Sequence, residues 1–68
     1  MTAREVVRRL VDLDCAERAG KGSHRVFVSS QGRCRTVVPM HRGDIPNGTV
    51  RAIQRQMEHC LGKDWLLR

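Results

Sequence analysis

Glycine-containing stretches divide this chain of 68 residues into short segments, and this division strongly limits the folds that it can adopt. The stretches lie at residues 20–23, 29–33 and 42–48, where they indicate turns or loops. Five helices or strands fit around them, and no internal repeat is present. A chain of this length buries only about 60% of the surface that it exposes when unfolded. We therefore expect one small domain and exclude a multidomain enzyme with a deep substrate cleft.

The first segment has the pattern of an amphipathic helix. Thr2 and Glu5 form a capping-box pattern, in which each side chain can bond to the backbone amide of the other residue. Apolar residues then recur at helical spacing, at Ala3, Val6, Val7, Leu10 and Leu13. We predict that a helix starts here and buries this face.

The middle of the chain predicts a three-stranded meander. Residues 15–19 are a weak strand candidate, residues 25–29 are a stronger one, and residues 34–39 carry a β-branched run. The connection between the second and third candidates is short enough for a hairpin. Pro39 should end the third strand, because proline has no amide hydrogen to donate to a neighbouring strand.

The last segment predicts a second helix. Asn47 or Thr49 can cap its start, and Gly62 is placed to terminate it. Its predicted buried stripe consists of Val50, Ile53, Met57, Cys60 and Leu61. The predicted order is α-β-β-β-α, an α+β domain in which both helices pack on one face of a three-stranded antiparallel sheet.

The other face of this sheet is the candidate working surface. Side chains alternate along a strand, so His24, Val26 and Val28 share one face and Phe27 lies on the other. Phe27 is the only phenylalanine and is expected in the core. His24 is then on the open face, beside Val26 and Val28, which form an apolar patch suited to a protein partner.

The charge balance favours an acidic partner. Thirteen Lys and Arg residues against seven Asp and Glu give a net charge of +6, and most of the cations are arginine. The guanidinium group pairs with phosphate oxygens two at a time, and a basic domain of this kind is typical of nucleic-acid binding. A solvated surface, or one that meets an acidic protein, is the alternative, and charge alone favours nucleic acid only slightly.

The cysteines and the N-terminus bear on the cellular compartment. Cys15, Cys34 and Cys60 are odd in number and widely spaced, which argues against a disulfide framework and a zinc knuckle. We expect reduced, partly buried thiols. Residues 1–12 lack the apolar run of a secretory signal, and no stretch is long enough to span a membrane, so a cytoplasmic protein is expected.

Two features around His24 could serve chemistry on phosphate. The turn at residues 20–23 is not a P-loop, because glycine follows Lys21 where Ser or Thr is required. It can still present backbone amides and a lysine to a phosphodiester, although a plain tight turn is as good an interpretation. An imidazole can move a proton during RNA cleavage while Lys21 and Arg25 neutralise charge on the phosphate. Such cleavage needs no metal or cofactor, and the scattered acidic residues do not favour a metal site.

The chain has two further histidines, His41 and His59. His41 follows Pro39 in a loop, where it can approach His24 or simply be exposed. His59 falls on the polar side of the second helix and is expected to be a solvated residue near the helix C-terminus.

Three short motifs occur in order along the chain. They are Gly22-Ser23-His24-x-x-Phe27, Val38-Pro39-x-His41 and Ile45-x-x-Gly48-Thr49-Val50-x-x-Ile53. With them, the chain resembles the HicA toxins of bacterial toxin–antitoxin systems, over nearly its whole length of residues 1–68. The resemblance implies a fold like that of the double-stranded-RNA-binding domain. It also implies an mRNA interferase activity, a catalytic histidine at the position of His24, and a HicB-type antitoxin as partner.

The chain departs from the family pattern at three places. Asp14-Cys15 stands where the family often has glycine and an aromatic residue, and Ala19 stands where a polar residue is common. The tail of residues 63–68, with Trp65, Leu66 and Leu67, extends beyond the family pattern. We expect this tail to cover the core rather than to form an oligomer contact.

The sequence therefore predicts a small endoribonuclease that cleaves mRNA, with His24 as general acid or base. Residues expected to assist or to bind RNA are Lys21, Gly22, Ser23, Arg25 and His41. The antitoxin should cover the His24 face, including Val26 and Val28. A non-catalytic RNA-binding module is the alternative, and a protein-interaction module is a third hypothesis.

Overall fold

A computed structural model describes residues 1–67 and shows two helices and three strands. They are α1 (Ala3–Asp12), β1 (Ala16–Arg18), β2 (His24–Val28), β3 (Arg35–Pro39) and α2 (Asn47–Leu61). The strands form an antiparallel sheet in the order β1-β2-β3. The predicted α-β-β-β-α order and the α+β class are confirmed. Within residues 1–67, no helix has the length and apolar character needed to cross a membrane.

Helix α1 starts as its sequence predicts. The Glu5 amide donates to Thr2 Oγ1 at 3.2 Å, and the Thr2 amide donates to Glu5 Oε1 at 2.9 Å, which completes the capping box. Val6 and Leu10 are fully buried. Leu13 was predicted on the same buried face, and this prediction is wrong. Leu13 caps the helix end, where the chain leaves helical geometry, and 40% of it is exposed.

The sheet has one covered face and one open face. Phe27 pairs with Thr36, and both side chains are buried together with Val38 beneath the helices. Val26 pairs with Val37 on the other side, where Val37 is 38% exposed. The open sheet face follows from the register and consists of Ala16, Arg18, His24, Val26, Val28, Arg35, Val37 and Pro39. The predicted alternation along β2 is therefore confirmed.

Strand bounds differ slightly from the prediction. Strand β2 covers residues 24–28 instead of 25–29, and β1 covers three residues instead of five. Ser29 instead closes the hairpin, because its amide donates to the Cys34 carbonyl and its hydroxyl accepts from the Cys34 amide. Strand β3 ends at Pro39, as predicted.

Helix α2 has no side-chain cap, so the predicted capping by Asn47 or Thr49 is wrong. Pro46 is the N-cap residue, and its carbonyl accepts hydrogen bonds from the amides of Thr49 and Val50. The helix begins at Asn47, which leaves the Asn47 side chain inside the first turn. At the other end the Gly62 amide donates to the Glu58 carbonyl, so Gly62 does terminate the helix.

The C-terminal tail covers the core, which confirms its predicted role. Trp65 and Leu66 are 4% and 1% exposed. The Trp65 indole Nε1 donates to the Gln54 carbonyl at 2.8 Å, so its polar atom is satisfied where it is buried. Arg68, the last residue of the predicted tail, lies outside the described residues.

The cysteines are not all reduced, which corrects the prediction. Cys34 and Cys60 form a disulfide between the residue before β3 and the last turn of α2, with a Cα separation of 6.2 Å. The spacing of the cysteines along the chain could not reveal this pair, because packing of α2 on β3 brings together residues 26 positions apart. Cys15 is a buried free thiol. Burial, with a smaller contribution from the Asp14 carboxylate, raises the pKa of Cys15.

Candidate active site

The site centres on two exposed histidines at one end of the sheet. His24 is the first residue of β2 and pairs with Pro39, the last residue of β3. The chain leaves β3 beside His24, and His41 follows two residues later. The imidazole centroids of His24 and His41 are 6.1 Å apart, with the rings almost perpendicular at 85°. Of the two interpretations left open for His41, the structure therefore supports approach to His24 by a side chain that is also exposed.

Backbone hydrogen bonds hold the two histidine-bearing segments together. The Met40 amide donates to the Ser23 carbonyl at 2.7 Å, one residue before each histidine. The His24 amide donates to the Lys21 carbonyl at 3.0 Å, which closes the turn that precedes β2. This amide is therefore engaged within the protein, so a phosphate-binding nest at the turn would have to use other amides.

Two glycines allow the turn to pass close to β2. A Cβ atom at Gly20 would overlap the carbonyl oxygen of His24. Gly22 has a φ of +58°, in the left-handed region that side chains rarely adopt. The two glycines of this turn thus have a structural reason that does not depend on phosphate binding. They let the turn pack against the backbone that carries His24.

The structure separates one of the predicted cations from the His24 side chain. Arg25 alternates to the face opposite His24, where its Nε lies 3.7 Å from Glu17 Oε2. Lys21 is exposed in the turn and forms no ion pair within residues 1–67. The structure thus places Ser23, His24 and His41 together, with Lys21 close along the chain. It does not place the Arg25 side chain beside the His24 side chain.

Sequence reasoning missed two arginines that border the site. Arg4 from the first turn of α1 and Arg42 from the loop after β3 line a groove of about 370 Å³, together with Thr2, Met40 and His41. Both arginines are exposed, and neither forms an ion pair within residues 1–67. The position of Arg42 at the site could have been predicted from the sequence, because it directly follows His41. The position of Arg4 could not, because it depends on a contact between distant parts of the chain.

That long-range contact joins the N-terminus to the loop after β3. Thr2 forms an isolated antiparallel bridge with Asp44, and the Ile45 amide donates to the Met1 carbonyl at 2.8 Å. The Met1 ammonium lies 3.5 Å from Asp44 Oδ1. These contacts bring the start of α1 to the loop that carries His41, and they place the Met1 ammonium beside the carboxylate of Asp44 in that loop.

The remaining candidates are one histidine far along the chain and the valines of the open sheet face. His59 is exposed in the last turn of α2, as expected for a solvated residue. Val26 and Val28 are half-buried on the open sheet face, and Val37 in β3 adds a more exposed apolar side chain opposite Val26. Among residues 1–67, no three His, Cys, Asp or Glu side chains are grouped closely enough to hold a metal ion.

Comparison with known families gives one match. A family model described as the HicA toxin of bacterial toxin–antitoxin systems matches residues 3–58, more than four fifths of the chain. The matched range includes the turn, both site histidines and most of α2. A search of curated proteins finds no match. The chain therefore belongs to the HicA toxin family, whose members are the toxins of toxin–antitoxin systems and are generally ribonucleases.

Proposed function

We propose that this chain is a metal-independent endoribonuclease that cleaves mRNA and so blocks translation, with His24 as the reacting imidazole. The observation that carries the proposal is the exposed pair of His24 and His41, in a chain whose family generally cleaves RNA. Imidazole is the side chain best suited to proton transfer near neutral pH, because it titrates in this range. Both rings are open to solvent, so a polymeric substrate can reach them without a cleft.

The surrounding charge suits an RNA chain. Lys21 precedes the His24 strand, and Arg42 follows His41, so cations border both histidines. They can contact phosphates on either side of the bond that is cut and can neutralise charge that develops on the reacting phosphate. Ser23 and Gly22 complete the turn that presents His24. Binding that depends on such contacts weakens steeply as salt rises, because counterions are released from the RNA.

Cleavage by purified protein tests the proposal. A long mRNA is incubated with the protein in EDTA, beside His24→Ala and the matched control His59→Ala, which removes an exposed histidine from α2. Circular dichroism checks that all three are folded. We expect the wild type and His59→Ala to fragment the RNA, and His24→Ala to bind it without cutting. If none of them cuts and all bind in a salt-sensitive manner, the chain is an RNA-binding module and the proposal is wrong.

The open sheet face supports a second part of the proposal, a HicB-like antitoxin that covers His24. Val26, Val28 and Val37 form an apolar strip next to His24 on this face. Arg18 and Arg35 lie on the same face in the two outer strands. An apolar centre with basic surroundings fits a protein surface that is apolar at its centre and acidic around it. A partner seated there would block access of RNA to His24.

A charge placed in this strip tests the proposed antitoxin contact. Val37→Lys should weaken binding of a HicB-type antitoxin by about tenfold or more, because it puts an unpaired charge into the apolar centre of the interface. Val11→Lys is the matched control, since Val11 is 56% exposed on α1, away from the sheet. Isothermal titration calorimetry measures the affinity of both variants for the antitoxin. Equal affinities for the two variants would place the antitoxin elsewhere.

A further inference from the structure

The loop after β3 carries a second imidazole that the cleavage reaction can use. We infer that His41 is a catalytic residue in its own right, and that His24 and His41 divide the two proton transfers of RNA cleavage between them. This inference rests on the proposed ribonuclease function and goes beyond it. It gives His41 one of the two proton transfers rather than general assistance at the site.

The separation of the rings fits a phosphodiester that contacts both of them. A group that moves a proton must lie within about 2.6–3.2 Å of the atom that gives or receives it. The ring centroids are 6.1 Å apart, so one phosphate group bound against both exposed rings can bring its oxygens within reach of the two imidazoles.

The backbone fixes His41 in this place on both sides of the loop. Before His41, the Met40 amide is bonded to the Ser23 carbonyl. After it, Ile45 is buried and its amide is bonded to the Met1 carbonyl, and Asp44 bridges to Thr2. Only four residues lie between the two anchors at Met40 and Ile45. These anchors hold the loop, and His41 with it, beside the start of β2.

The proposed reaction balances as a transphosphorylation. One imidazole, neutral at the start, takes the proton from a ribose 2′-hydroxyl, and the 2′-oxygen forms a bond to phosphorus. The bond from phosphorus to the 5′-oxygen of the next nucleotide breaks. The other imidazole, protonated at the start, gives its proton to that 5′-oxygen. The products are a 2′,3′-cyclic phosphate and a free 5′-hydroxyl, and the two histidines exchange protonation states.

The charged groups around the pair suit a reaction on phosphate. Lys21 lies in the turn before β2, Arg25 points to the far face of β2, Arg4 reaches the site from α1, and Arg42 follows His41. Asp44 is the nearby carboxylate, and the Met1 ammonium lies beside it. Cations therefore dominate the site. They favour the dianionic phosphorus centre that forms as the 2′-oxygen attacks. The groove between Arg4 and Arg42 gives the RNA chain a path past His41.

The test uses a short RNA and the same RNA with sulfur in place of the bridging 5′-oxygen at the cut. Sulfur leaves without a proton, so a variant that lacks the proton donor recovers on this substrate, whereas one that lacks the acceptor does not. The proteins are the wild type, His24→Ala, His41→Ala and the control His59→Ala. His24 and His41 are exposed, so their replacement does not disturb the core.

On normal RNA we expect His24→Ala and His41→Ala each to lose about 10²–10⁴-fold in rate, the usual contribution of a proton-transfer group. On the sulfur substrate one of these two variants should return to within about tenfold of the wild type, and the other should stay slow. Wild-type products should carry cyclic phosphate and 5′-hydroxyl ends by mass spectrometry. The wild-type rate should fall on both sides of a pH optimum, because one ring must be neutral and the other protonated.

Three outcomes overturn the inference while the proposed function stands. These are cleavage by His41→Ala at the wild-type rate, no recovery of either variant on the sulfur substrate, and products that carry 5′-phosphate. A wild type that cuts neither substrate overturns the proposed function itself, and the inference with it.

Discussion

Gly20 packs directly against the backbone of His24, and this contact fixes the start of β2. A Cβ atom at position 20 would overlap the His24 carbonyl oxygen and would press on Arg25 Cα. The atoms in the way are backbone, which cannot rotate aside as a side chain can. The site histidine thus depends on a glycine four residues earlier in the sequence.

Gly20→Ala should therefore both destabilise the protein and displace His24. Overpacking of this kind costs about 1–3 kcal/mol. Cleavage should fall more than RNA affinity, because phosphate contacts tolerate a shift that proton transfer does not. Urea unfolding and RNA cleavage assays measure the two effects. Gly48→Ala is the control, since a Cβ there meets nothing within 4 Å and the change adds up to about 1 kcal/mol of helix stability. A fully active Gly20→Ala protein would contradict this account of the turn.

The capping box of α1 should make stability depend on pH. The Thr2 backbone amide, then its side chain, bonds to the Glu5 carboxylate and lowers its pKa below the ordinary value of 4.5. A carboxylate with a lowered folded-state pKa stabilises the fold above its unfolded-state pKa, and this contribution is lost as pH falls through the folded-state value. Glu5→Gln should therefore unfold at lower urea than the wild type at pH 7. The gap should narrow as the pH falls below 4.5 and through the lower folded-state pKa of Glu5.

A second glutamate provides the control for this pH experiment. Glu58→Gln removes a carboxylate from α2 that makes no side-chain hydrogen bond or ion pair within residues 1–67. Its urea midpoint should equal that of the wild type at every pH. A third variant, Thr2→Ala, removes the other half of the capping box and should lower the free energy of unfolding by about 1 kcal/mol, the usual effect of losing an N-cap side chain. A gap between Glu5→Gln and the wild type that does not narrow as the pH falls below 4.5 would show that the carboxylate charge is not the cause.

Local patterns in the sequence were enough to predict most of the fold. The capping box at Thr2 involves residues three apart, and the apolar spacing of α1 is set by a single turn of helix. Alternation along β2 assigned Phe27 to the core and His24 to the open face. These features depend on neighbours in the chain, so the sequence displays them directly.

Contacts between distant segments account for what could not be predicted. The disulfide of Cys34 and Cys60 forms because α2 packs on β3, which no spacing rule specifies. Arg4 reaches the His41 groove only because Thr2 bridges to Asp44. The start of α2 is a local exception, because the Pro46 carbonyl accepts hydrogen bonds from the amides of Thr49 and Val50 and no side chain caps the helix.

The disulfide should contribute measurably to stability. In the chain-entropy view, a cross-link across 26 residues stabilises the folded state by about 3–4 kcal/mol, because it restricts the unfolded chain. Reductant should lower the urea midpoint of the wild type and leave that of the double variant Cys34→Ala/Cys60→Ala unchanged. Thiol titration checks the pairing. Unfolded, unreduced protein should show one thiol, that of Cys15, and a count of three would contradict the disulfide.

The tail offers a matched pair of leucines that tests its role as core cover. Leu66 is 1% exposed and Leu67 is 38% exposed. Leu66→Ala should cost about 2–5 kcal/mol, because it leaves a cavity against the core, whereas Leu67→Ala should change stability by less than about 1 kcal/mol. The hydrogen bond from the Leu67 backbone amide to Gln54 Oε1 does not involve the Leu67 side chain, so it is kept in Leu67→Ala. Trp65 fluorescence can follow unfolding, since the indole is buried. Equal costs for the two leucines would mean that the tail does not pack on the core in solution.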